Sequence, residues 1–531
     1  MQAISDSEAT RGVGKLWAAF VHADRVFLVA LLVGSLVRVW EFGTLPPGLN
    51  QDEASTGYDA YSLLHYGVDR NGFEYPVVLV SWGSGMYALA AYAAMPFIAL
   101  FGLSPTAVRL PFLLAGVASI PLFFVLLRDV FDRRTARIGA LLLAISPWHI
   151  MASRWALDSN LFPFVFLAAT VVAVRSVSGR EWLLPAACAL YGVSLYAYGT
   201  AYVVVPLFLA LLLGYGLFHE WWRRRLVLTG SAVFALVALP VVLFVLVNKL
   251  QWQSITTPFF SIPRLSGVPR FETMGNLNAF SGEFYGNAWG NLRQGWRLLR
   301  TQDDGLRWNV LPEYGVLYWF SSVLAIVGFV ALARRALNRT PTLTFVLFAW
   351  CIAAIALTAL VSVNINRANI VMFPFIFLTA VALSILWQWR SVAVALCLLY
   401  ALSFASFTRT YFSDYREIAA GDFSASFGPA IEYASAQTPG AICVTRNVNM
   451  PYIFVLFYAR EDPRRFAETV VYENPGAEFQ SVSSFGRYTF GLDRCRDTAD
   501  VVVAGNDEKG SFDAARYRAE DFERFSVLIQ Q

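Results

Sequence analysis

The chain has 531 residues, of which 57% are hydrophobic and only 15% are charged, whereas an ordinary soluble domain carries roughly 25% charged residues. A mean hydropathy of +0.52 excludes a water-soluble enzyme, and the 15% aromatic content excludes a disordered protein. The net charge of +4 is small, so the basic residues are informative only through their distribution along the chain.

Apolar segments of roughly 17–22 residues, the length of a membrane-spanning helix, follow a polar tail at residues 1–24. Because no small-residue cleavage site follows the first segment, we interpret it as a retained span rather than a signal peptide. The sequence thus predicts an all-α polytopic membrane protein with about 11 transmembrane helices. The predicted spans are residues 25–41, 107–128, 136–152, 161–178, 182–198, 200–218, 226–248, 314–333, 343–361, 368–387 and 391–408.

Arginine clusters between these spans set the predicted orientation, because basic loops face the cytoplasm. The spans alternate correctly only if the apolar stretch 84–101 does not cross; its Gly-Ser-Gly start and Pro96 favour a helix at the outer interface. The amino-terminal tail is then cytoplasmic, and residues 42–106, 249–313 and 409–531 are extracytoplasmic. The basic residues used are Arg11, Lys15, Arg25, Arg128, Arg133, Arg134, Arg137, Arg175, Arg180, Arg223, Arg224, Arg225, Arg334, Arg335, Arg339 and Arg390.

Residues 409–531 differ in character from the apolar part, residues 25–408. Residues 441–445 and 500–504 are short apolar runs typical of buried strands, whereas residues 427–434 and 452–459 have helical patterns. These patterns predict a small extracytoplasmic α/β domain, which lacks a phosphate-binding Gly loop and is therefore interpreted as a binding or positioning element. Two cysteines in this part, Cys443 and Cys495, form either a disulfide, in an oxidising compartment, or two ordinary buried thiols.

A carboxylate pair, Asp52 and Glu53, follows the turn Pro-Pro-Gly-Leu-Asn-Gln directly after the first span. The next residues have a helical apolar pattern, so the pair lies at the start of a helix, where negative charge is favoured. The spacing fits a site at the membrane rim, and it fits equally a simple capping role for either carboxylate.

Two further polar motifs lie on the same predicted face. His149, Arg154 and Asp158 belong to residues 146–160, which run from the end of a span into a very short outer turn, and Arg367 stands among three asparagines at another turn. Snorkelling at span ends is an alternative explanation for these arginines, and also for Arg109. Because carboxylates and arginines from separate segments converge on one face, the sequence favours a common site.

These motifs resemble the membrane glycosyltransferases of the GT-C superfold, and most closely the branch of protein O-mannosyltransferases and lipid A aminoarabinose transferases. The resemblance rests on Asp-Glu at 52–53, on Leu-Phe-Gly-Leu-Ser…Ala-Val-Arg-Leu-Pro at 100–111, on Ser-Pro…Ser-Arg-Trp-Ala-Leu-Asp at 146–158, and on Asn-Arg-Ala-Asn…Pro at 366–374. It implies an inverting hexosyl- or pentosyltransferase that uses a polyprenyl-phosphate sugar donor on the outer leaflet of a bacterial-type plasma (inner) membrane.

The chemistry of such a donor suggests roles for the carboxylates. A sugar phosphate already carries a good leaving group, so the reaction needs mainly a base for the acceptor hydroxyl and cations for the departing phosphate. We expect Asp52 to be the general base and Glu53 to orient Asp52 or the acceptor. We expect Asp158 to bind acceptor or sugar hydroxyls, with the base role as a fallback.

The arginines are the expected phosphate ligands, because a guanidinium carries a permanent charge in a fork geometry. Arg367 is the first candidate, followed by Arg109 and Arg154. The remaining expected contacts with acceptor or sugar come from Tyr58, His149 and Asn366. Related enzymes often place a basic residue before a proline pair after the acidic motif, and residues 71–82 carry no such cation.

The expected partners are the lipid-linked donor, a lipid, glycan or protein acceptor, and membrane lipids, but no nucleic acid. No cofactor is expected; Asp52 and Glu53 could bind a divalent metal, but two carboxylates alone make a weak site. A secondary transporter or lipid flippase of the envelope is the main alternative, and it would need ionisable residues at the bilayer midplane. A non-catalytic scaffold is a third interpretation. The loop 249–313 could be an acceptor-side lid or a structural cover.

Overall fold

The structure is a computed structural model that describes residues 24–267, 269, 282–338, 340 and 342–531. Apart from Asp24, the predicted cytoplasmic tail lies outside the described residues. The same holds for Arg339 and for residues 270–281 of the loop 249–313.

Every apolar segment predicted as a span contains a helix. The helices of this part are α1 Arg25–Val39, α2 Gln51–Tyr66, α3 Leu89–Phe101, α4 Pro105–Val130, α5 Arg133–Ile145, α6 Pro147–Ala152, α7 Phe162–Val177, α8 Leu184–Ser194, α9 Ala201–Phe218, α10 Arg224–Lys249, α11 Phe284–Thr301, α12 Ser321–Ala336, α13 Thr344–Leu360, α14 Asn369–Leu386 and α15 Arg390–Ser413. Two small hairpins join them, β1 Val78–Leu79 with β2 Met86–Tyr87 and β3 Ile255–Thr256 with β4 Ser261–Ile262.

Helix length alone supports part of the predicted span count. Among the described residues, six helices are long and apolar enough to cross a membrane: residues 105–130, 158–177, 201–218, 224–249, 369–386 and 390–413. The other predicted spans contain shorter helices. The count of about 11 crossings therefore stays a prediction.

The segment 136–152, predicted as one span, is divided into α5 and α6 at Ser146. The Ser146 hydroxyl accepts the backbone N–H of His149 at 3.4 Å, and Pro147 occupies the first turn of α6. Proline has no N–H to continue the α5 hydrogen-bond ladder, and a serine before it caps a new helix. The chain consequently turns here, three residues before His149.

Helix α3, the stretch not expected to cross, has 13 residues and Pro96 inside it. At 1.5 Å per residue it is about 20 Å long, which is less than the roughly 30 Å of a hydrocarbon core. Its length is compatible with an interfacial helix, and this placement stays a prediction.

The last part of the chain forms a seven-stranded sheet in the order β10-β11-β9-β5-β8-β7-β6. Both predicted strands are present as β5 and β9, which are parallel neighbours with Ile442 opposite Val501. Both predicted helices are present as α17 and α18. The elements are α16 Tyr415–Ala419, α17 Phe427–Gln437, β5 Ile442–Val444, α18 Pro451–Ala459, α19 Pro463–Thr469, β6 Val471–Tyr472, β7 Val482–Phe485, β8 Tyr488–Phe490, α20 Leu492–Cys495, β9 Val501–Gly505, β10 Tyr517–Asp521 and β11 Phe525–Gln530.

This sheet region shares a hydrophobic core with the first long loop of the chain. Gly57 of α2 lies so close to α18 that a Cβ atom there would stand 2.6 Å from the Phe457 ring and from Val108 of α4. The Sγ atoms of Cys443 and Cys495 are joined in a disulfide between β5 and α20. The carboxy-terminal region is thus packed directly on the elements that carry Asp52 and Arg109.

Candidate active site

Asp52 and Glu53 lie in the first turn of α2, and the two carboxylates have different surroundings. The Asn50 side chain accepts the backbone N–H of Asp52 at 3.1 Å, and the Glu53 carboxylate accepts the N–H of Asn50 at 3.0 Å. This reciprocal arrangement is a capping box. Glu53 is fully buried, whereas Asp52 is half-buried. The capping alternative therefore describes Glu53, and Asp52 faces the surface beside it.

The Glu53 carboxylate is paired with Arg109, the first arginine of α4. Arg109 Nε and Nη2 lie 2.7 and 2.8 Å from the two carboxylate oxygens, and both side chains are fully buried. The Arg109 guanidinium also donates to the carbonyls of Pro46 at 2.9 Å and Gly48 at 2.8 Å. These contacts use its donors to hold the turn before α2. Arg109 thus holds Glu53 and the turn before α2 in place, and the phosphate contact expected from the sequence stays a prediction.

Glu53 also connects the first motif to the second. Its Oε1 accepts the backbone N–H of Ala156 at 2.8 Å, two residues before Asp158. Asp158 is buried, and its Oδ1 accepts the N–H of Ser159 at 2.7 Å. Asp52 and Asp158 therefore belong to two turns that are joined by one buried hydrogen bond.

Asn369, at the start of α14, connects the second motif to the third. Its amide nitrogen donates to Asn160 Oδ1 at 2.8 Å, and its amide oxygen accepts the Trp148 Nε1–H at 2.7 Å. Arg367 lies two residues before Asn369. The motifs around Asp52, Asp158 and Arg367 therefore meet at one end of the helix bundle, where α1 ends and α4, α7 and α14 begin; we call this end the site face.

Arg367 lies in the loop between α13 and α14, where it is half-buried. Its guanidinium donates to the Ser362 hydroxyl and, at 3.3 Å, to the Ser362 carbonyl. Asp304 fixes this loop by accepting the N–H of Ile365 at 2.8 Å, and burial raises the pKa of this carboxyl. The neighbouring Asn366 has a buried amide oxygen with no hydrogen-bond partner among the described residues.

Arg154 and His149 are buried away from any surface. The Arg154 guanidinium donates to the carbonyls of Val37 at 3.1 Å and Arg38 at 2.8 Å, and it caps the end of α1. His149 Nδ1 lies 2.8 Å from Arg38 Nη2. The phosphate contact of Arg154 and the sugar contact of His149 stay predictions, and the snorkelling alternative for Arg154 does not describe a fully buried side chain.

Tyr58 likewise has a structural partner. Its side chain is fully buried, and its hydroxyl donates to the Glu461 carbonyl at 2.6 Å. The contact ties α2 to the segment between α18 and α19. This geometry places Tyr58 in the attachment of the carboxy-terminal region rather than beside Asp52.

Sequence reasoning missed a buried ionic network behind α2. Arg70 Nη2 lies 2.7 Å from Asp59 Oδ2 and 2.9 Å from the Ser81 hydroxyl, and the guanidinium stands 5.4 Å from the Trp82 ring centroid. Burial, with the nearby Asp59 charge, raises the pKa of the adjacent Asp69 to about 7. The signal available in the sequence was Arg70, the single basic residue in an acidic stretch.

A second missed element is the segment after α16, which covers the turn before α2. Asn50 Nδ2 donates to the Asp422 carbonyl at 3.0 Å, and the Trp155 and Phe423 rings are 5.5 Å apart. Burial raises the pKa of the Asp422 carboxyl, while the charge of Arg307 lowers it. Arg307 and Asp422 therefore add to the polar rim near Asp52.

The described residues contain no group of three or more His, Cys, Asp or Glu side chains arranged to hold a metal ion. The site face thus presents Asp52 and Arg367 at the surface, Asp158 below them, and Glu53 with Arg109 as a buried support. These side chains can accept a proton and bind a phosphate, but the described residues do not surround one point as the ligands of a metal ion would.

Part of the chain matches a family model and two curated relatives. The family model for "Dolichyl-phosphate-mannose-protein mannosyltransferase" matches residues 88–244. "Putative mannosyltransferase YkcB" and "Putative mannosyltransferase YycA" of Bacillus subtilis (strain 168) are 27% and 26% identical over 192 and 195 residues, which is 35% of this chain in each case. The matches cover 26% and 27% of those proteins, so the chain spans about a quarter of the length of the curated relatives it matches.

Solved structures show the same fold over most of the chain. ArnT from Cupriavidus metallidurans bound to undecaprenyl phosphate matches with a TM-score of 0.57 at 16% identity, covering 94% of this chain and 97% of ArnT. The archaeal oligosaccharyltransferase AglB from Archaeoglobus fulgidus, in complex with an inhibitory peptide and a dolichol-phosphate, matches with a TM-score of 0.52 at 14% identity, covering 82% of this chain and 63% of AglB.

The fold is therefore that of the GT-C glycosyltransferases ArnT and AglB. Within that class the chain resembles the protein mannosyltransferases and ArnT, and this predicted resemblance is confirmed.

Proposed function

We propose that the protein transfers a hexose or pentose from a polyprenyl-phosphate donor to an acceptor hydroxyl at the outer face of the membrane, with inversion. The observation that carries the proposal is that the two adjacent carboxylates at the start of α2 have different surroundings. Glu53 is buried and neutralised by Arg109, whereas the adjacent Asp52 is half-exposed. The similarity to lipid-phosphate-dependent transferases supports the reaction class.

Asp52 is the general base of this proposal. The positive end of the α2 dipole favours its ionised form, and the Arg109 charge compensates the nearest carboxylate. Asp52 accepts the proton of the acceptor hydroxyl while the hydroxyl oxygen attacks the anomeric carbon of the sugar. The bond from that carbon to the phosphate oxygen breaks, and polyprenyl phosphate leaves with the electron pair.

The loop between α13 and α14 serves the departing phosphate and the sugar. Arg367 offers a half-exposed guanidinium beside Ser362, and such a cation stabilises the charge that develops on a leaving phosphate. The buried amide oxygen of Asn366 accepts a sugar hydroxyl, which would satisfy an atom otherwise without a partner among the described residues. Asp158 binds further hydroxyls.

Apolar cavities on both sides of this loop have room for the lipid chain of the donor. One, of about 390 Å³, lies between α11, α12, α13 and α14, and a smaller one of about 50 Å³ is lined by α11, α13 and α14 together with Val363 and Ala368. Another, of about 350 Å³, lies between α8, α9 and α10 and reaches Val361. Val363 and Ala368 flank Arg367 along this loop, so a prenyl chain in the first pair of cavities would approach Arg367.

The proposed orientation puts the site face outside and the amino terminus in the cytoplasm. The arginines at the starts of α5, α10 and α15 lie at the opposite ends of their helices from the site face, as expected for cytoplasmic loops. The disulfide between Cys443 and Cys495 is typical of an oxidising compartment, which supports an extracytoplasmic carboxy-terminal region.

The substitution Asp52→Asn tests the base directly. We expect transfer from radiolabelled polyprenyl-phosphate mannose, or from a pentose donor, to fall by roughly 10²–10⁴-fold, because that is the usual contribution of a general base. Each variant is added to membranes from cells that lack the protein, and the radiolabel incorporated into those membranes is measured. Asp462→Asn is the matched control, since Asp462 is also half-buried and caps a helix, α19, where asparagine caps equally well.

If Asp52→Asn transfers sugar as well as the unmodified protein does, Asp52 is not the general base, but the proposed transferase activity still stands. If the unmodified protein incorporates no label from either donor, the proposed reaction itself is wrong.

A further inference from the structure

An apolar cavity of about 620 Å³ lies between α1, α5, α14 and α15, and its lining includes none of the residues assigned to sugar transfer. Its walls consist mainly of aliphatic and aromatic side chains, including Val33, Leu141, Leu386 and Phe404. Two lining residues, Val26 and Cys397, are exposed, so the cavity is accessible from the outer surface of the helix bundle.

The cavity extends over the depth of one leaflet. On α5 it reaches from Arg134 to Ile145, a rise of about 16 Å at 1.5 Å per residue, and one leaflet contributes half of a hydrocarbon core of roughly 30 Å. Its deep end is at Ala144 and Ile145, and its mouth is at Arg134, Arg137 and Trp387. A single acyl chain that stands along the membrane normal matches this shape.

The mouth of the cavity is positively charged. Arg134 is exposed, and Arg137 is half-buried with its Nε 2.7 Å from the Asp24 carboxylate. Arg133 shares the same carboxylate at 3.6 Å. Arg25 and Arg390, the first residues of α1 and α15, are also exposed at this end of the bundle. Among the described residues, the acidic side chains next to this mouth are Asp24 and Asp132, which are fewer than the arginines.

We propose that this cavity is a binding site for an anionic glycerophospholipid, with one acyl chain between α1, α5, α14 and α15 and the phosphate on Arg134 and Arg137. The guanidinium fork suits a phosphodiester, and Trp387 stands where interfacial tryptophans anchor at headgroup level. The excess of arginine selects a headgroup with net negative charge over a zwitterionic one. The site is separate from the sugar-transfer site and does not depend on the proposed reaction.

Lipid binding to the purified full-length chain in detergent tests this assignment. Dioleoyl phosphatidylglycerol and dioleoyl phosphatidylcholine, which share both acyl chains, are titrated separately; bound lipid is counted by native mass spectrometry, and the thermal unfolding midpoint is recorded in parallel. We expect phosphatidylglycerol to bind at least fivefold more tightly and to raise the midpoint more than phosphatidylcholine does.

Two variants test the headgroup and chain contacts separately, each with a matched control. Arg134→Gln should weaken phosphatidylglycerol binding about fivefold, whereas Arg224→Gln, at the exposed start of α10, should not. Ala401→Trp fills the cavity from α15 and should abolish tight binding, whereas Ala395→Trp, on the same helix but outside the cavity lining, should preserve it. The lipid-free unfolding midpoint reports whether each variant is folded.

Equal affinity for the two lipids would overturn the proposal, because the cavity would then hold any acyl chain. Tight phosphatidylglycerol binding by folded Ala401→Trp would also overturn it, since the lipid would then bind only to the charged surface.

Discussion

Asp52 and Glu53 are adjacent in the sequence, yet the structure gives them opposite environments. Glu53 receives hydrogen bonds from Arg109, Asn50 and Ala156 and is inaccessible. Asp52 is half-exposed in the same helical turn. Removing one partner of such a buried ion pair costs free energy of folding, because the other charge stays buried without a counter-charge.

Glu53→Gln should therefore destabilise the protein by about 3–5 kcal/mol, since Arg109 would remain buried and charged. The measurement is the free energy of unfolding, from thermal or denaturant unfolding in detergent. Glu523→Gln is the control, because its partner Arg416 is 3.1 Å away but both side chains are largely exposed, and such pairs contribute less than about 1 kcal/mol. Equal losses for the two variants would show that the Glu53–Arg109 pair is not buried as described.

Asp69 gives the pH dependence of stability a definite sign. Its pKa is raised from 3.8 to about 7 in the folded state, so between these values the folded state binds more protons than the unfolded state, and stability falls as the pH rises. Asp69→Asn imitates the protonated carboxyl. We expect it to raise the unfolding midpoint at pH 8 and to leave it nearly unchanged at pH 4.

Unfolding midpoints of Asp69→Asn and of the unmodified protein, compared across pH 4–8, check this prediction. An Asn71→Asp control adds a carboxylate to the same loop where the side chain is half-buried and should not reproduce the gain at pH 8. A lower midpoint for Asp69→Asn at pH 8 would mean that Asp69 is needed in its charged form.

At the scale of single elements, helix ends carry much of the polar structure of the bundle. Arg38 of α1 donates to the carbonyls of Leu143 at 3.1 Å and Ala144 at 3.0 Å, at the end of α5. Arg154 in turn donates to the end of α1. The last carbonyls of a helix have no partner within it, so these arginines satisfy groups that would otherwise be buried without hydrogen bonds.

Close contact between α2 and α18 depends on Gly57. A Cβ atom there would lie 2.6 Å from Phe457 and Val108, so Gly57→Ala should cost about 1–3 kcal/mol through overpacking. Limited proteolysis should then release the carboxy-terminal region faster. Gly290→Ala on α11 is the matched control, because a Cβ atom meets open space there and alanine favours the helix by up to about 1 kcal/mol. Unchanged proteolysis and stability in Gly57→Ala would refute this packing.

At the scale of the whole molecule, three distant parts of the chain form one surface above the helices. Val77 donates its N–H to the Ser261 carbonyl at 3.0 Å, and Gln480 donates its N–H to the Trp82 carbonyl at 2.9 Å. The Gln480 side chain also donates to the Ser266 hydroxyl at 3.0 Å. The boundary at residue 409 therefore separates two regions of different composition. These two regions nevertheless pack against each other around the turn that carries Asp52.

The sequence by itself determined the helical segments, the strands β5 and β9, and the motifs that meet at the site face. The length and periodicity of an apolar segment are local properties of the sequence. Because successive helices alternate in direction, the order of the motifs along the chain fixes which helix ends lie on the same side. The adjacent pairs Asp52–Glu53 and Asn366–Arg367 belong to this level of description.

Only the tertiary structure decided which charged side chains face the surface. Arg109, Arg154, His149 and Tyr58 have the residue types of ligands, but each is used by a partner far away in the chain: Glu53, the end of α1, Arg38 and Glu461. A buried charge persists only where another segment supplies its counter-charge or hydrogen bonds, and a single sequence contains no record of those long-range pairings.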